Sequence, residues 1–264
     1  MVHTLRCRAL TILALCLMPW QSAQAIIADG ASLSVSFPGL SGVHTDILES
    51  DHTSGTATGS RLASAYWKSD RAIIAVPFGK VDVRIRKGAA TYIVDDVDCT
   101  GATCAIDDVT ATLHVSFAGI SSVHTDARVV DGVAGLAGGG TIASSNWKHE
   151  AAEFKILRQV VDVRVRKGAA VVVVDDVDCR SGSCAVDGLT ADMTVNFPGL
   201  SGVHTDVRLS DDQVGTADGD GVTSSNWKTD TPAIKVFRGR YDLRVRKGAA
   251  THIVDDVDCT SGAC

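Results

Sequence analysis

The chain repeats itself at one fixed interval, without an insertion or a deletion. Trp67, Trp147 and Trp227 fall at that spacing, as do Phe37, Phe117 and Phe197, and Gly88, Gly168 and Gly248. Such a period marks one folded unit used three times, and it limits the fold to what a small domain can build. The most uniform stretch runs from Val81 through Arg84, Arg86, Lys87 and Gly88 to Asp95, Asp96, Asp98, Cys99 and Cys104; it recurs over 161–184 and 241–264.

Residues 1–25 stand outside the period. A short basic start (Arg6, Arg8), an apolar run over Ala9–Trp20 and an Ala23-Gln24-Ala25 end have the pattern of a secretory signal peptide cleaved after Ala25. The run is too short for a spanning helix. The expectation is a secreted, periplasmic or extracellular protein with no membrane span. Cleavage leaves three units, 26–104, 105–184 and 185–264, and no stretch set apart for a catalytic domain.

Removing Arg6 and Arg8 lowers the basic residues from 25 to 23 against 31 acidic ones, a net charge of −8. Phosphate neutralisation needs a basic face, so nucleic acid is not an expected partner. Cys7 and Cys16 leave with the signal. The six that remain form three local pairs, Cys99/Cys104, Cys179/Cys184 and Cys259/Cys264. In an exported chain they are expected as disulfides. Zinc would want two pairs close together, and these recur a whole period apart.

Within each unit the apolar residues alternate with polar ones, the period of a half-buried strand. Leu33–Phe37 and Val203–Leu209 show it well, with His204, Asp206 and Arg208 facing away from Val203, Thr205 and Val207. Pro38-Gly39 and Lys87-Gly88 are turn signals. Gly-, Ser-, Thr- and Asp-rich segments at 50–61, 130–141 and 210–221 are expected as loops or weak edge hairpins. A strand is expected to start at Ser64-Ala65-Tyr66-Trp67-Lys68 and to carry a core tryptophan. Nothing in the chain has a helical period. Six or seven short strands in each unit give an all-β protein, three tandem β-sandwich domains of about 80 residues each.

The strand count, the mid-unit Trp and the tandem array resemble immunoglobulin-like or prealbumin-like β-sandwich modules of secreted or surface proteins. Ala75-Val76-Pro77-Phe78-Gly79-Lys80-Val81 is similar to the turn before a strand in prealbumin-like modules. The resemblance implies spacers, adhesins or carbohydrate-binding modules, although fold alone does not carry function.

Two constellations hold chemistry. The Val-His-Thr-Asp segments place His44 and Asp46, His124 and Asp126, and His204 and Asp206 two apart on a strand, hence on one face. They are binding candidates and an incomplete metal set. The acidic clusters Asp95/Asp96/Asp98, Asp175/Asp176/Asp178 and Asp255/Asp256/Asp258 are the candidate calcium ligands, since Ca²⁺ takes six to eight oxygens. Charge pairing with Arg84, Arg86 and Lys87 across the hairpin is the structural alternative for the same cluster. No catalytic residue stands out, and no cofactor other than calcium is implied. The function expected first is a non-enzymatic exported module, a surface component, adhesin or spacer with three weak binding faces for a protein or glycan. A calcium-assisted carbohydrate-binding array is the second, and self-assembly through strand edges remains open to either.

Overall fold

The computed structural model of the protein describes residues 30–264, all of whose regular elements are β-strands. The expected signal peptide and its cleavage site lie outside the described residues. The first copy of the repeat supplies β1 (Ala31–Phe37), β2 (Val43–Glu49), β3 (Arg61–Lys68), β4 (Asp70–Val76), β5 (Lys80–Lys87), β6 (Ala90–Asp98) and β7 (Thr103–Ile106). The second supplies β8 (Thr110–Ser116), β9 (Val123–Val129), β10 (Thr141–Lys148), β11 (Ala151–Leu157), β12 (Val160–Lys167), β13 (Ala170–Asp178) and β14 (Ser183–Val186). The third supplies β15 (Thr190–Thr194), β16 (Val203–Leu209), β17 (Gly221–Lys228), β18 (Ala233–Phe237), β19 (Arg240–Lys247) and β20 (Ala250–Asp258).

These strands form six sheets, two from each copy. In the first copy one sheet has the order β4-β1-β7 and the other β3-β2-β5-β6. The second copy repeats both as β11-β8-β14 and β10-β9-β12-β13. The third keeps β17-β16-β19-β20 and pairs β15 with β18, while a parallel bridge from Asp192 to Ala263 stands where the seventh strand would be. Every strand pairing is antiparallel except that of the first strand with the last, β1 with β7 and β8 with β14.

Alternation decides which side chains face inward. Leu33, Val35 and Phe37 of β1 are buried from one sheet, and Val43 and Ile47 of β2 with Val81, Val83 and Ile85 of β5 from the other. Leu113, Val115 and Phe117 repeat the pattern in the second copy, and Met193, Val195 and Phe197 in the third. Tyr241, buried at the position of Val81 and Val161, satisfies its hydroxyl by donating to the Phe237 carbonyl at 2.7 Å. Desolvation pushes its phenol up to about 12.

The expected disulfides are formed: Cys99–Cys104, Cys179–Cys184 and Cys259–Cys264. The first two join the end of β6 or β13, in a four-stranded sheet, to β7 or β14 in a three-stranded one. The closing strand carries on past Cys104 to Ile106, and its counterpart past Cys184 to Val186, beyond the boundaries the cysteines marked. Each small ring contributes about 2 kcal/mol by chain entropy.

The Gly-rich segments are loops, and one glycine in each is obligatory. A Cβ on Gly59, Gly139 or Gly219 would stand 1.8–2.0 Å from the carbonyl oxygen of Glu49, Val129 or Leu209, a contact only glycine avoids. Adjacent copies also touch. The Ala89 amide donates to the Thr141 carbonyl at 3.4 Å and the Ala169 amide to the Gly221 carbonyl at 3.2 Å, so the β5–β6 and β12–β13 turns each meet the next copy.

Phe117 is fully buried at the end of its strand. Phe117→Ala is expected to cost about 3–5 kcal/mol, read as a lower urea midpoint for unfolding of the second copy.

Candidate functional site

The tryptophans are not in the core. Trp67, Trp147 and Trp227 are 75%, 67% and 75% exposed, and all have left-handed backbone with φ of 54–56°. The cause is a β-bulge in each copy. Val43 pairs with Lys68 and Thr45 with Ala65, so two residues, Tyr66 and Trp67, stand opposite His44 alone. The second and third copies repeat the slip between Ser145 and Lys148 and between Ser225 and Lys228. Simple alternation fails at the extra residue, and the indole turns to solvent. The bulge falls at the end of β3, β10 or β17, not at the start of a strand as the sequence led us to expect. Positive φ at a bulky residue costs on the order of 1–3 kcal/mol, and strain of this kind gathers at functional sites.

Each indole stands edge-on to the histidine opposite. Ring centroids are 4.5 Å apart for His44 and Trp67, 4.4 Å for His124 and Trp147, and 5.2 Å for His204 and Trp227. In the first copy Tyr66 adds a second ring, 5.2 Å from His44. Asn146 takes its place in the second, with Oδ1 3.0 Å from His124 Nδ1, and His204 Nδ1 in the third is buried without a hydrogen-bond partner. A cation closes the site. A Cβ built on Gly42 would lie 3.6 Å from both Lys87 Nζ and the Trp67 ring, so ammonium and indole share one spot over that glycine. In the second copy Ser122, His124, Trp147, Arg166 and Gly168 line an open depression of about 430 Å³.

Beside this platform His44 and Asp46 share the outer face, as their spacing required, but they are not a metal pair. Asp46 is fully buried and one of its oxygens, Oδ2, accepts from both Arg86 Nη2 at 2.7 Å and Arg84 Nη2 at 3.3 Å. Asp126 does the same for Arg164 (2.7 Å) and Arg166 (3.3 Å), and Asp206 for Arg244 (3.2 Å) and Arg246 (2.7 Å). This corrects the expected pairing of the arginines with the acidic clusters. Register sets Arg84 opposite Ile93 and Arg86 opposite Thr91 on β6, but opposite Asp46 and His44 on β2. Asp46 Oδ1 and the Nε of Arg86, Arg166 and Arg246 are buried without partners. In the third copy the floor opens into a depression of about 340 Å³ that includes Asp206, Ser224, Arg244 and Arg246.

The acidic clusters, the candidate calcium ligands, hold a bulge and a loop in place. Asp95 and Asp96 form a second bulge, both standing opposite Asp82, with Asp96 at φ 50°. The buried Asp82 carboxylate holds it, accepting from the Asp96 amide through Oδ1 and from the Asp51 amide through Oδ2, each at 2.9 Å. Asp162 and Asp242 repeat both contacts, so Asp176 (φ 54°) and Asp256 (φ 52°) are bulge residues like Asp96.

The side chains of the clusters are spread over different partners. Asp95, Asp175 and Asp255 accept from the Gly55, Gly135 and Gly215 amides at 2.6–2.7 Å, tying the loop to the hairpin. Asp96 accepts from the Ser50 hydroxyl, as Asp256 does from that of Ser210. Val130 stands at that position in the second copy, so Asp176 has no such hydroxyl; its amide donates to Asp162 Oδ1 at 3.1 Å. Asp98, Asp178 and Asp258 accept the amides two residues on, of Thr100, Arg180 and Thr260. Among the described residues no three His, Cys, Asp or Glu side chains are grouped to hold a metal ion, the clusters Asp95/Asp96/Asp98, Asp175/Asp176/Asp178 and Asp255/Asp256/Asp258 included. Neighbouring residues of a strand point to opposite faces, and of the carboxylates that turn toward the loop one oxygen is engaged by an amide while Oδ1 of Asp95, Asp175 and Asp255 is buried without a partner.

Sequence reasoning missed Asp51, Asp131 and Asp211, which organise the same loops. Asp51 accepts from the Thr58 amide and hydroxyl, the Thr53 amide and the Thr56 hydroxyl. These donors, Thr58 first, hold its carboxyl well below the usual range. The Val133 and Gly138 amides lower Asp131, and the Asp218 and Gln213 amides lower Asp211. The available signal was an acid at the head of each Gly-rich segment, two residues before the first of its amide donors.

No family model matches the chain, and no curated protein matches it. Among solved structures it is similar to "The Bacillus anthracis TIE protein" at 9% identity, over 89% of this chain and 49% of that one, with a TM-score of 0.21. A likeness so slight bears on neither fold nor function.

Two outcomes follow from these contacts. Replacing Arg84 and Arg86 together by Ala strands a buried carboxylate and is expected to cost about 3–5 kcal/mol, whereas Asp46→Ala costs less because both guanidinium groups reach solvent. Urea unfolding of the two variants gives the comparison. The lowered carboxyls of Asp51, Asp131 and Asp211 add stability above the ordinary carboxylate range, and it is lost as pH falls below about 4. Changing all three to Asn is expected to lower the melting temperature at pH 7 and flatten its acid-side fall, as scanning calorimetry would record.

Proposed function

We propose that the chain is an exported, non-enzymatic interaction module whose three repeats each present one binding face, the Trp–His–Arg–Lys platform. The observation that carries this reading is the tryptophan. A large apolar ring is held out to water, at left-handed φ, in all three copies. Burying such a ring against a partner recovers apolar area that folding leaves exposed.

Export is supported by the three disulfides, which persist in oxidising compartments. Among the described residues no helix is long and apolar enough to cross a membrane. Three tandem β-sandwich domains are supported by two sheets in each copy with buried side chains on both. The strand order favours the prealbumin-like resemblance over the immunoglobulin-like one. Immunoglobulin sheets join strands A, B, E and D, and C, F and G. Here the first strand pairs with the fourth and seventh, and the second with the third and fifth.

Of the two partner classes, a glycan is favoured over a protein. The exposed indole presents a flat face in an open depression, a shape that accepts the apolar face of a sugar ring and binds each ring weakly. Three linked weak sites gain by avidity, which can exceed single-site affinity by about 10²–10⁴.

The test is a fluorescence titration of residues 26–264 with polysaccharides and with whole cells. Trp20 leaves with the leader, so all the indole emission comes from the three platform rings. Quenching on binding is expected, and the triple variant W67A/W147A/W227A is expected to lose at least about tenfold in retention with its circular dichroism unchanged. Unaltered binding by that variant would sink the platform.

A further inference from the structure

The platform reading leaves the chemical class of its ligand open, and the charges around the indole narrow it. Each face carries two arginines and a lysine, Arg84, Arg86 and Lys87 or their counterparts, against one aspartate, Asp46, Asp126 or Asp206. That is a surplus of two positive charges per face. Residues 26–264 carry −8 overall, with 23 basic and 31 acidic side chains, so the three faces are basic islands on an acidic protein.

The guanidinium groups are not saturated from within. Arg86, Arg166 and Arg246 are 41–43% exposed, and each gives one Nη to its aspartate. Among the described residues Nη1 of these arginines makes no hydrogen bond to the protein, while Nε is buried, so the open edge of each guanidinium is its Nη1 end. A planar fork with a free edge matches the two oxygens of a carboxylate or sulfate. Arg166 and Trp147 line one depression, whose volume of about 430 Å³ is at the small end of the range for small-molecule sites. Ring and anion are therefore recognised together.

Resting on the platform reading, we propose that each face takes an acidic saccharide. The indole packs against the apolar face of a pyranose, while Arg86 and its counterparts hold its carboxylate or sulfate, joined in the first copy by Lys87. Single-stranded nucleic acid also stacks on tryptophan and carries a charge on every nucleotide, so it is the competing ligand in the test.

The experiment titrates residues 26–264 with polygalacturonate, heparin, dextran and a thymidine oligonucleotide, following tryptophan emission and calorimetric heat. Polygalacturonate or heparin is expected to bind at least about tenfold more tightly than dextran, and to weaken about tenfold between about 0.05 and 0.5 M salt. The preferred polyanion tells carboxylate from sulfate. R86K/R166K/R246K keeps the charge and a partner for Asp46 but loses the fork, and an approximately tenfold loss is expected. Dextran binding as tightly as the acidic chains, with the same quenching, overturns the acidic class and leaves the platform standing. Tighter binding of the oligonucleotide than of either polyanionic sugar overturns it as well. Silence from all four ligands, with cells retained independently of the tryptophans, removes both readings.

Discussion

Each repeat takes two carboxylates wholly or largely out of water on the outer face of its four-stranded sheet, Asp206 of the third copy being the more exposed, and the remainder of that face is arranged around satisfying them. Asp82 is met by two backbone amides, one from the loop after β2 and one from the bulge in β6. Asp46 is met by two guanidinium groups from β5. A buried carboxylate without such donors would cost several kcal/mol, so loop, bulge and arginine row are fixed together. The platform follows from them. Arg86 is held at one edge of it by Asp46, and His44 is set two residues away on the same strand face.

The three copies show which parts of this arrangement can vary. Tyr66 is replaced by Asn146 and Asn226 beside the tryptophan, so the ring neighbouring the histidine is optional. Leu48 is buried where Arg128 and Arg208 send Nε to the Gly139 and Gly219 carbonyls at 2.8 and 2.6 Å. The aspartate, the paired arginines, the lysine, the histidine and the tryptophan stay the same. The platform therefore tolerates change around it but not within it, and the copies differ more in fit than in chemistry.

Much of the fold was legible because strand alternation is a local signal. Leu33, Val35 and Phe37, the Lys87-Gly88 turn and the cysteine pairs could all be placed from neighbours in sequence. The site was less legible because each of its parts depends on register between strands distant in the chain. Alternation predicts an inward Trp67, and one extra residue opposite His44 reverses it. Arg84 and the acidic cluster are close in sequence, which made the hairpin partner the natural choice. β5 has a second neighbour, however, and β2 delivers Asp46 to the arginines while β6 offers only Ile93 and Thr91. The Val-Asp-Asp-Val-Asp segment has the composition of a cation site. Its aspartates serve the bulge and the loop through amides, a use that composition cannot separate from metal binding.

The parallel pairing of β1 with β7 has a mechanical consequence. A load applied through the two ends of a repeat pulls β1 toward its start and β7 toward its finish, along the length of both strands. The hydrogen bonds between them, from Ser32–Thr103 to Val35–Ile106, then lie side by side across the line of force and share it. They must fail together, unlike the bonds of a hairpin peeled open from one end. The Cys99–Cys104 bond anchors β7 to the neighbouring sheet at the point where that tension would enter. A tether built from such units resists stretching through its geometry, and reducing its cysteines would slacken it.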